Sequence, residues 1–189
     1  MASTSSAIGN WEKANPDKIA ADEEEMLLYC QMISKLDNSL NTLKNCKKLS
    51  LSTNCIDRLN VPLAGMSSLK ILSLGRNNIK KIEKLEDVAE TLEELWISYN
   101  QITTLDGLSG LNNLCKLYIS NNNIKSWTEL DKLATLGCLE DVLLVGNPIY
   151  AEFSKEDARI EVLKHIPNLK KLDGEMVKPN EREAAQQAV

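Results

Sequence analysis

Phenylalanine occurs once and histidine once in the 189 residues. The single histidine, His165, has no sequence-adjacent nucleophile, so it reads as an ordinary helix residue rather than as half of a catalytic dyad. Glycine-rich phosphate loops are missing. The acidic residues are scattered or in runs, without the spacing of metal ligands. No apolar stretch approaches the ~18 residues that cross a bilayer. The opening Met1-Ala2-Ser3-Thr4-Ser5-Ser6 has neither the basic region nor the apolar segment of a secretory signal. Cys30, Cys46, Cys55, Cys115 and Cys138 form an odd set with no Cys-x-x-Cys pair, so zinc spacing is missing and a disulfide framework is not expected. Most of them read as small buried core residues. Positive charge is in the minority: 22 Lys+Arg against 27 Asp+Glu leaves −5. That argues against a surface built mainly to neutralise phosphates. The expectation is one domain, or two small ones, in a reducing compartment, without an enzyme's chemistry and without a cofactor.

What the chain has in excess is leucine, at 29 residues, and asparagine, at 18. The excess follows a rule. Leu69-x-x-Leu72-x-Leu74-x-x-Asn77-x-Ile79-x-x-Ile82 is followed by Leu92-x-x-Leu95-x-Ile97-x-x-Asn100-x-Ile102-x-x-Leu105. The same string recurs from Leu114 through Asn122 to Trp127, from Cys46 through Asn54 to Leu59, and from Leu139 through Asn147 to Ile149. A weaker copy starts at Met26, with Gln31 in the asparagine place. The markers fall at 31, 54, 77, 100, 122 and 147, spaced by 23, 23, 23, 22 and 25. This is the leucine-rich repeat pattern, and repeats of this kind stack into a solenoid.

Each position in a rung has a physical task. Leucines at positions 4 and 6 share one face of a short strand. The asparagine at position 9 turns the chain, and its amide can satisfy backbone groups that the turn leaves unpaired. Pairs such as Leu40/Leu43, Leu85/Val88, Leu108/Leu111 and Leu130/Leu133 suit short helical turns on the convex side. The predicted fold is an α/β solenoid with a short parallel sheet on the concave face, short helices on the convex face and helical caps at both ends. Residues 1–25 form a capping helix and leader, 26–150 the repeats with a degenerate first rung, and 151–189 a C-terminal cap and terminal helix.

At the front, the first few residues are expected to be disordered, and Ile8 and Trp11 belong to a helix capped by Ser5 or Ser6 and ended at Asn15-Pro16. At the back, Ser154 caps a helix that turns Ile160, Leu163 and Ile166 inward. A strand-like stub follows over 167–174. The Asn180-x-x-Glu183 string starts a last exposed helix from Glu181 to Ala188.

Positions that the rung rule leaves free carry the functional signal. Position 5 points to the concave face and reads Leu27, Ser50, Ser73, Trp96, Tyr118, Leu143 and, in the cap, Asp173. Position 7 adds Tyr29, Ser52, Gly75, Ser98, Ser120 and Val145. Position 8 adds Arg76, Tyr99 and Asn121, and position 3 adds Ile71, Glu94, Lys116 and Asp141. A contiguous aromatic and aliphatic patch with a charged rim is predicted, centred on Trp96, Tyr118 and Leu143, the mark of a protein interface. Its width suits a helix or a small helical domain. Lys44, Lys47 and Lys48 make a small basic spot.

The 22–23-residue repeats with Asn-x-Ile-x-x-Ile/Leu endings resemble the leucine-rich repeat subclass of the protein phosphatase 1 regulatory subunit. Within it, Leu49-Ser-Leu-Ser-Thr-Asn54, Ile71-Leu-Ser-Leu-Gly-Arg-Asn77, Leu92-Glu-Glu-Leu-Trp-Ile-Ser-Tyr-Asn-Gln-Ile102 and Leu169-Lys-Lys-Leu-Asp-Gly174 resemble the leucine-rich repeat light chains of axonemal outer-arm dynein. The resemblance spans roughly residues 26–183. It implies a non-catalytic subunit at the ciliary axoneme, attached to a dynein heavy chain at its microtubule-binding stalk region and tuning how the motor engages the microtubule. The docking residues would be Ile71, Ser73, Arg76, Glu94, Trp96, Ser98, Tyr99, Lys116, Tyr118, Ser120, Asn121, Leu143 and Val145, with Arg182 of the terminal helix reaching the heavy chain or tubulin. Two other identities stay open. One is a phosphatase-binding adaptor. The other is a ribonucleoprotein scaffold akin to the spliceosomal A-prime protein, although the net charge disfavours direct RNA contact. Neither nucleic acid nor membrane is an expected partner.

Overall fold

A computed structural model describes residues 2–187. Strand β1 (Ala2–Ser3) and helix α1 (Thr4–Ala14) precede the first rung. Strands β2 (Glu25–Leu27), β3 (Ile33–Lys35), β4 (Lys48–Ser50), β5 (Ile71–Ser73), β6 (Glu94–Trp96), β7 (Lys116–Tyr118) and β8 (Asp141–Leu143) follow. Helix α2 (Lys155–His165), strands β9 (Lys171–Leu172) and β10 (Glu175–Met176) and helix α3 (Pro179–Gln187) close the chain. The main sheet runs β10-β9-β8-β7-β6-β5-β4-β2. Its strands are parallel from β2 to β9, and β10 is antiparallel to β9. Short 3-10 turns at Asn38–Thr42, Glu86–Val88, Asp106–Leu108 and Trp127–Leu133 return the chain on the other side. The solenoid predicted from the period is the observed architecture.

The core is the row of rung leucines and isoleucines. Leu49, Leu95, Ile97, Leu117, Ile119 and Leu144 are all fully buried. A single rung has one apolar edge and nothing to cover it, so its neighbours must.

The asparagines do more than turn their own rung. Asn100 Oδ1 accepts from the Ile79 N–H of the preceding rung at 2.9 Å. Its amide donates to the carbonyl oxygens of Leu74, also one rung back, and Ile97, each at 3.0 Å. Asn54, Asn77, Asn122 and Asn147 repeat the pattern. Each buried amide is thus a rivet between two rungs. Position 8, just before it, is left-handed in rung after rung: Cys30, Thr53, Arg76, Tyr99 and Asn121 all have φ between 52° and 59°.

Both ends differ from expectation. Ala2 and Ser3 are ordered as β1, which pairs with β3 in parallel. That pairing holds Ser3 extended, so Ser3, not Ser5 or Ser6, caps α1, in a reciprocal box with Ser6. Asp37 ties the helix to the first rung by accepting from the Ser5 and Ser39 N–H groups at 3.2 and 3.0 Å. At the other end Ser154 does cap α2, its hydroxyl accepting from the Asp157 N–H at 3.1 Å. Leu163 and Ile166 are buried as expected, and Ile160 is partly so.

Helix α3 is docked rather than free, and Ala188, its expected last residue, lies outside the described residues. Ala185 is buried. Arg159, only 4% exposed, pairs through Nε with Glu181 Oε1 at 2.5 Å and donates to the Leu172 carbonyl at 2.7 Å. Nothing in the rung rule points to this pair, because it belongs to the cap.

Candidate functional site

Register places the concave row. Trp96 lies opposite Tyr118, and Tyr118 opposite Leu143, on β6, β7 and β8. The Trp96 and Tyr118 rings stack, with centroids 6.1 Å apart and planes 19° apart. All three side chains are half-buried, and Val145 beside them is 47% exposed. Tyr99, 49% exposed, carries the Arg76 guanidinium over its ring at 4.5 Å.

Two residues towards the strand start runs a rail of alternating charge. Ile71, Glu94, Lys116, Asp141 and Lys171 are register partners in turn. Lys116 Nζ meets Glu94 Oε1 at 2.7 Å, and Lys171 Nζ meets Asp141 Oδ2 at 3.4 Å. The rail also holds the rings. Trp96 Nε1 donates to Glu94 Oε2 at 3.1 Å, and the Tyr118 hydroxyl donates to Asp141 Oδ2 at 3.0 Å. Burial and the Asp141 carboxylate push the Tyr118 phenol up, and the bond to Glu94 pushes the Lys116 ammonium up. The polar tips are therefore satisfied within the protein, and the ring surfaces remain for a guest. Rings fixed before docking lose little rotamer freedom on binding.

Several residues sit elsewhere than the sequence suggested. Ser73 and Ser120 are buried, at 8% and 3% exposure, and present little surface. Ser52 bonds Ser73, and Ser98 bonds Ser120, along a serine strip at 2.6 and 2.9 Å. The apolar row is the three-strand run of Trp96, Tyr118 and Leu143, with small residues beside it. Leu27 and Tyr29 are exposed at the front, and the serines and Gly75 separate them from Trp96. Asp173 does not extend the row. It turns left-handed at φ 50°, and its Oδ1 accepts from the Leu144 and Val145 N–H groups at 2.7 and 2.9 Å. It caps the ladder, and Leu143 ends the row.

Arg182 is not gathered with the others either. Its guanidinium donates to the carbonyl oxygens of Pro167 and Leu169 inside the cap. Lys171 was missed as part of the rail, although its place two residues after Leu169 marks it as position 3. The basic spot is largely neutralised: Lys47 pairs with Glu24 at 2.7 Å and Lys48 with Glu25 at 2.5 Å. Of the cysteines only Cys46 is buried. Cys30, Cys55 and Cys138 are exposed and Cys115 is intermediate, because they occupy rung positions that the core does not use.

His165 is half-buried on α2. It stacks on Trp127 at 6.3 Å, with Nδ1 2.5 Å from Asp131 Oδ1.

Comparison with known proteins narrows the identity. A family model described as leucine-rich repeats (2 copies) matches residues 90–137. The dynein axonemal light chain 1 of Chlamydomonas reinhardtii is 54% identical over 173 residues, covering 88% of this chain and 87% of that one. The human dynein axonemal light chain 1 is 49% identical over 181 residues, covering 94% of each.

The chain belongs to the axonemal dynein light chain 1 family. Membership and the repeat fold together fit a non-catalytic role in protein interaction. Among solved structures, a chain of the Drosophila melanogaster SNF/U2A' complex is similar at 24% identity with a TM-score of 0.59, covering 99% of this chain and 92% of that chain. A Listeria monocytogenes internalin is similar at 24% identity with a TM-score of 0.52, covering 74% and 47%. Both likenesses concern the fold alone.

Proposed function

We propose that this light chain binds an outer-arm dynein heavy chain at its microtubule-binding stalk region, through the concave face, and modulates how the motor engages the axonemal microtubule. Family membership supports the motor and the ciliary axoneme as the setting. One observation supports the surface: the stacked Trp96 and Tyr118 rings lie half-exposed on neighbouring strands, with their polar tips already bonded to Glu94 and Asp141. A preorganised aromatic pair beside Leu143 and Val145 suits the apolar side of a helix. The Glu94–Lys116 and Asp141–Lys171 rail sets the guest's register and orientation. Arg182 is left out of the docking surface because its guanidinium is tied to the Pro167 and Leu169 carbonyls within the cap.

The test is equilibrium binding of the light chain to a heavy-chain stalk segment containing the microtubule-binding domain. Trp96→Ala should weaken binding by about 2 kcal/mol, some thirtyfold, while leaving the melting curve unchanged. Wild-type affinity in that variant refutes the concave-face model. Retention of protein phosphatase 1 from ciliary extract, with no heavy chain, favours the adaptor identity instead.

A further inference from the structure

Cys115 and Cys138 come together although 23 residues separate them in sequence. Cys115 stands immediately before β7, and its carbonyl accepts from the Glu140 and Asp141 N–H groups at 3.0 and 3.1 Å. That pairing lays the segment from Cys138 to Asp141 directly beside it. Both cysteines line one surface cleft with Lys70, Thr91, Glu93 and Asn113. Cys138 is exposed, while Cys115 is partly covered and donates to the Asn113 carbonyl at 3.3 Å. The cleft lies where strands begin, outside the Trp96–Tyr118 row, so the docking surface does not use it.

We infer that Cys115 and Cys138 form a redox-responsive dithiol that closes to a disulfide between neighbouring rungs when a small-molecule disulfide such as glutathione disulfide is in excess. The order of events follows from access. The exposed Cys138 thiolate attacks one sulfur of glutathione disulfide. The sulfur–sulfur bond breaks, one glutathione leaves as its thiolate, and Cys138 carries the other as a mixed disulfide. Cys115, deprotonated, then attacks the Cys138 sulfur and displaces the second glutathione. Two protein thiols are oxidised, and one glutathione disulfide is reduced to two glutathiones. Burial, with Cys138, Glu140 and Glu93 adding to it, pushes the Cys115 thiol up, which suits it to the resolving rather than the initiating step. Cys138 lies two residues before Glu140, whose N–H bonds the Cys115 carbonyl, so both cysteines sit on the wall of the same cleft. Closure would staple the rung of Tyr118 to the rung of Leu143.

The experiment incubates the full-length chain with excess glutathione disulfide and maps cysteine states by mass spectrometry without reduction. The expected result is a peptide pair joined through Cys115 and Cys138, two hydrogens lighter than the reduced peptides, while exposed Cys30 and Cys55 report that the oxidant acted. In Cys115→Ser, Cys138 should stop at the mixed disulfide, and added dithiothreitol should restore the thiol. Two outcomes overturn the inference. One is mixed disulfides retained on both Cys115 and Cys138 of the wild-type chain. The other is both residues staying reduced while Cys30 and Cys55 are modified.

Discussion

The Tyr118 hydroxyl and the Asp141 carboxylate are joined across β7 and β8 at 3.0 Å, and the same Asp141 oxygen lies 3.4 Å from Lys171 Nζ. One buried carboxylate therefore fixes an aromatic ring and anchors the last full strand to the capping strand. Asp141 is 8% exposed and opens the strand whose next concave residue is Leu143. The aromatic row is in this way coupled to the C-terminal cap.

Asp141→Asn tests that coupling. The amide keeps an acceptor for the phenol but removes the charge that disfavours a phenolate. The Tyr118 phenol, now held up by burial and by Asp141, should titrate closer to the ordinary tyrosine value of about 10. Ultraviolet titration of the variant, with Tyr118→Phe subtracted to isolate this phenol among the four tyrosines, checks the shift. No movement would mean that burial alone sets the phenol.

Asn100→Ala should destabilise the chain by about 2 kcal/mol in denaturant unfolding. The reason is asymmetric. The Leu74 carbonyl keeps a bond from Asn77, and the Ile97 carbonyl keeps one from Asn122. The buried Ile79 N–H loses its acceptor, Asn100 Oδ1, and gains none. An unchanged unfolding midpoint would count against the rivets.

Acid should loosen the N-terminal cap before the rest. Burial opposes ionisation of Asp37, but hydrogen bonds from Ser39, Ser5 and Thr4 outweigh it and lower the carboxyl from 3.8 to about 2. A carboxyl depressed on folding contributes stability that is present above its unfolded value near 4 and is lost as pH falls towards 2. Hydrogen exchange along α1 should therefore accelerate between about pH 4 and pH 2. In Asp37→Asn it should already be faster at pH 7, with the acid step gone.

Arg159→Ala should cost roughly 3 kcal/mol, because it leaves the Glu181 carboxylate in the cap without its charged partner. Glu181 is 14% exposed on its side chain and takes both Nε and Nη2 of Arg159. The expected signature is release of α3, read as trypsin cleavage in the 178–182 segment while the repeats stay resistant. Intact resistance of that segment would show that the buried Ala185 and the Arg182 bonds to the Pro167 and Leu169 carbonyls hold α3 without the ion pair.

Much of the fold was legible because a strand alternates sides and a rung has a fixed length. Leucine at positions 4 and 6 can only face the stack, so Trp96, Tyr118 and Leu143 at position 5 must face away from it. The period of 22 to 25 residues then sets which side chains become neighbours. The charge rail was partly legible for the same reason, with Glu94, Lys116 and Asp141 at one position.

Asn100 shows how much the sequence by itself determined: a polar residue fixed at one place in each rung, with the solenoid following from the need to cover each rung's apolar edge. Tertiary structure decided what lies between rungs and in the caps. Only stacking brings Lys47 to Glu24, Cys138 to Cys115 and the Ile79 N–H to Asn100. Only the docked cap buries Arg159, turns Asp173 into a ladder stop and ties Arg182 inward. Those contacts join residues that share no local pattern, since their energy comes from burial and charge pairing that exist only once distant segments have met.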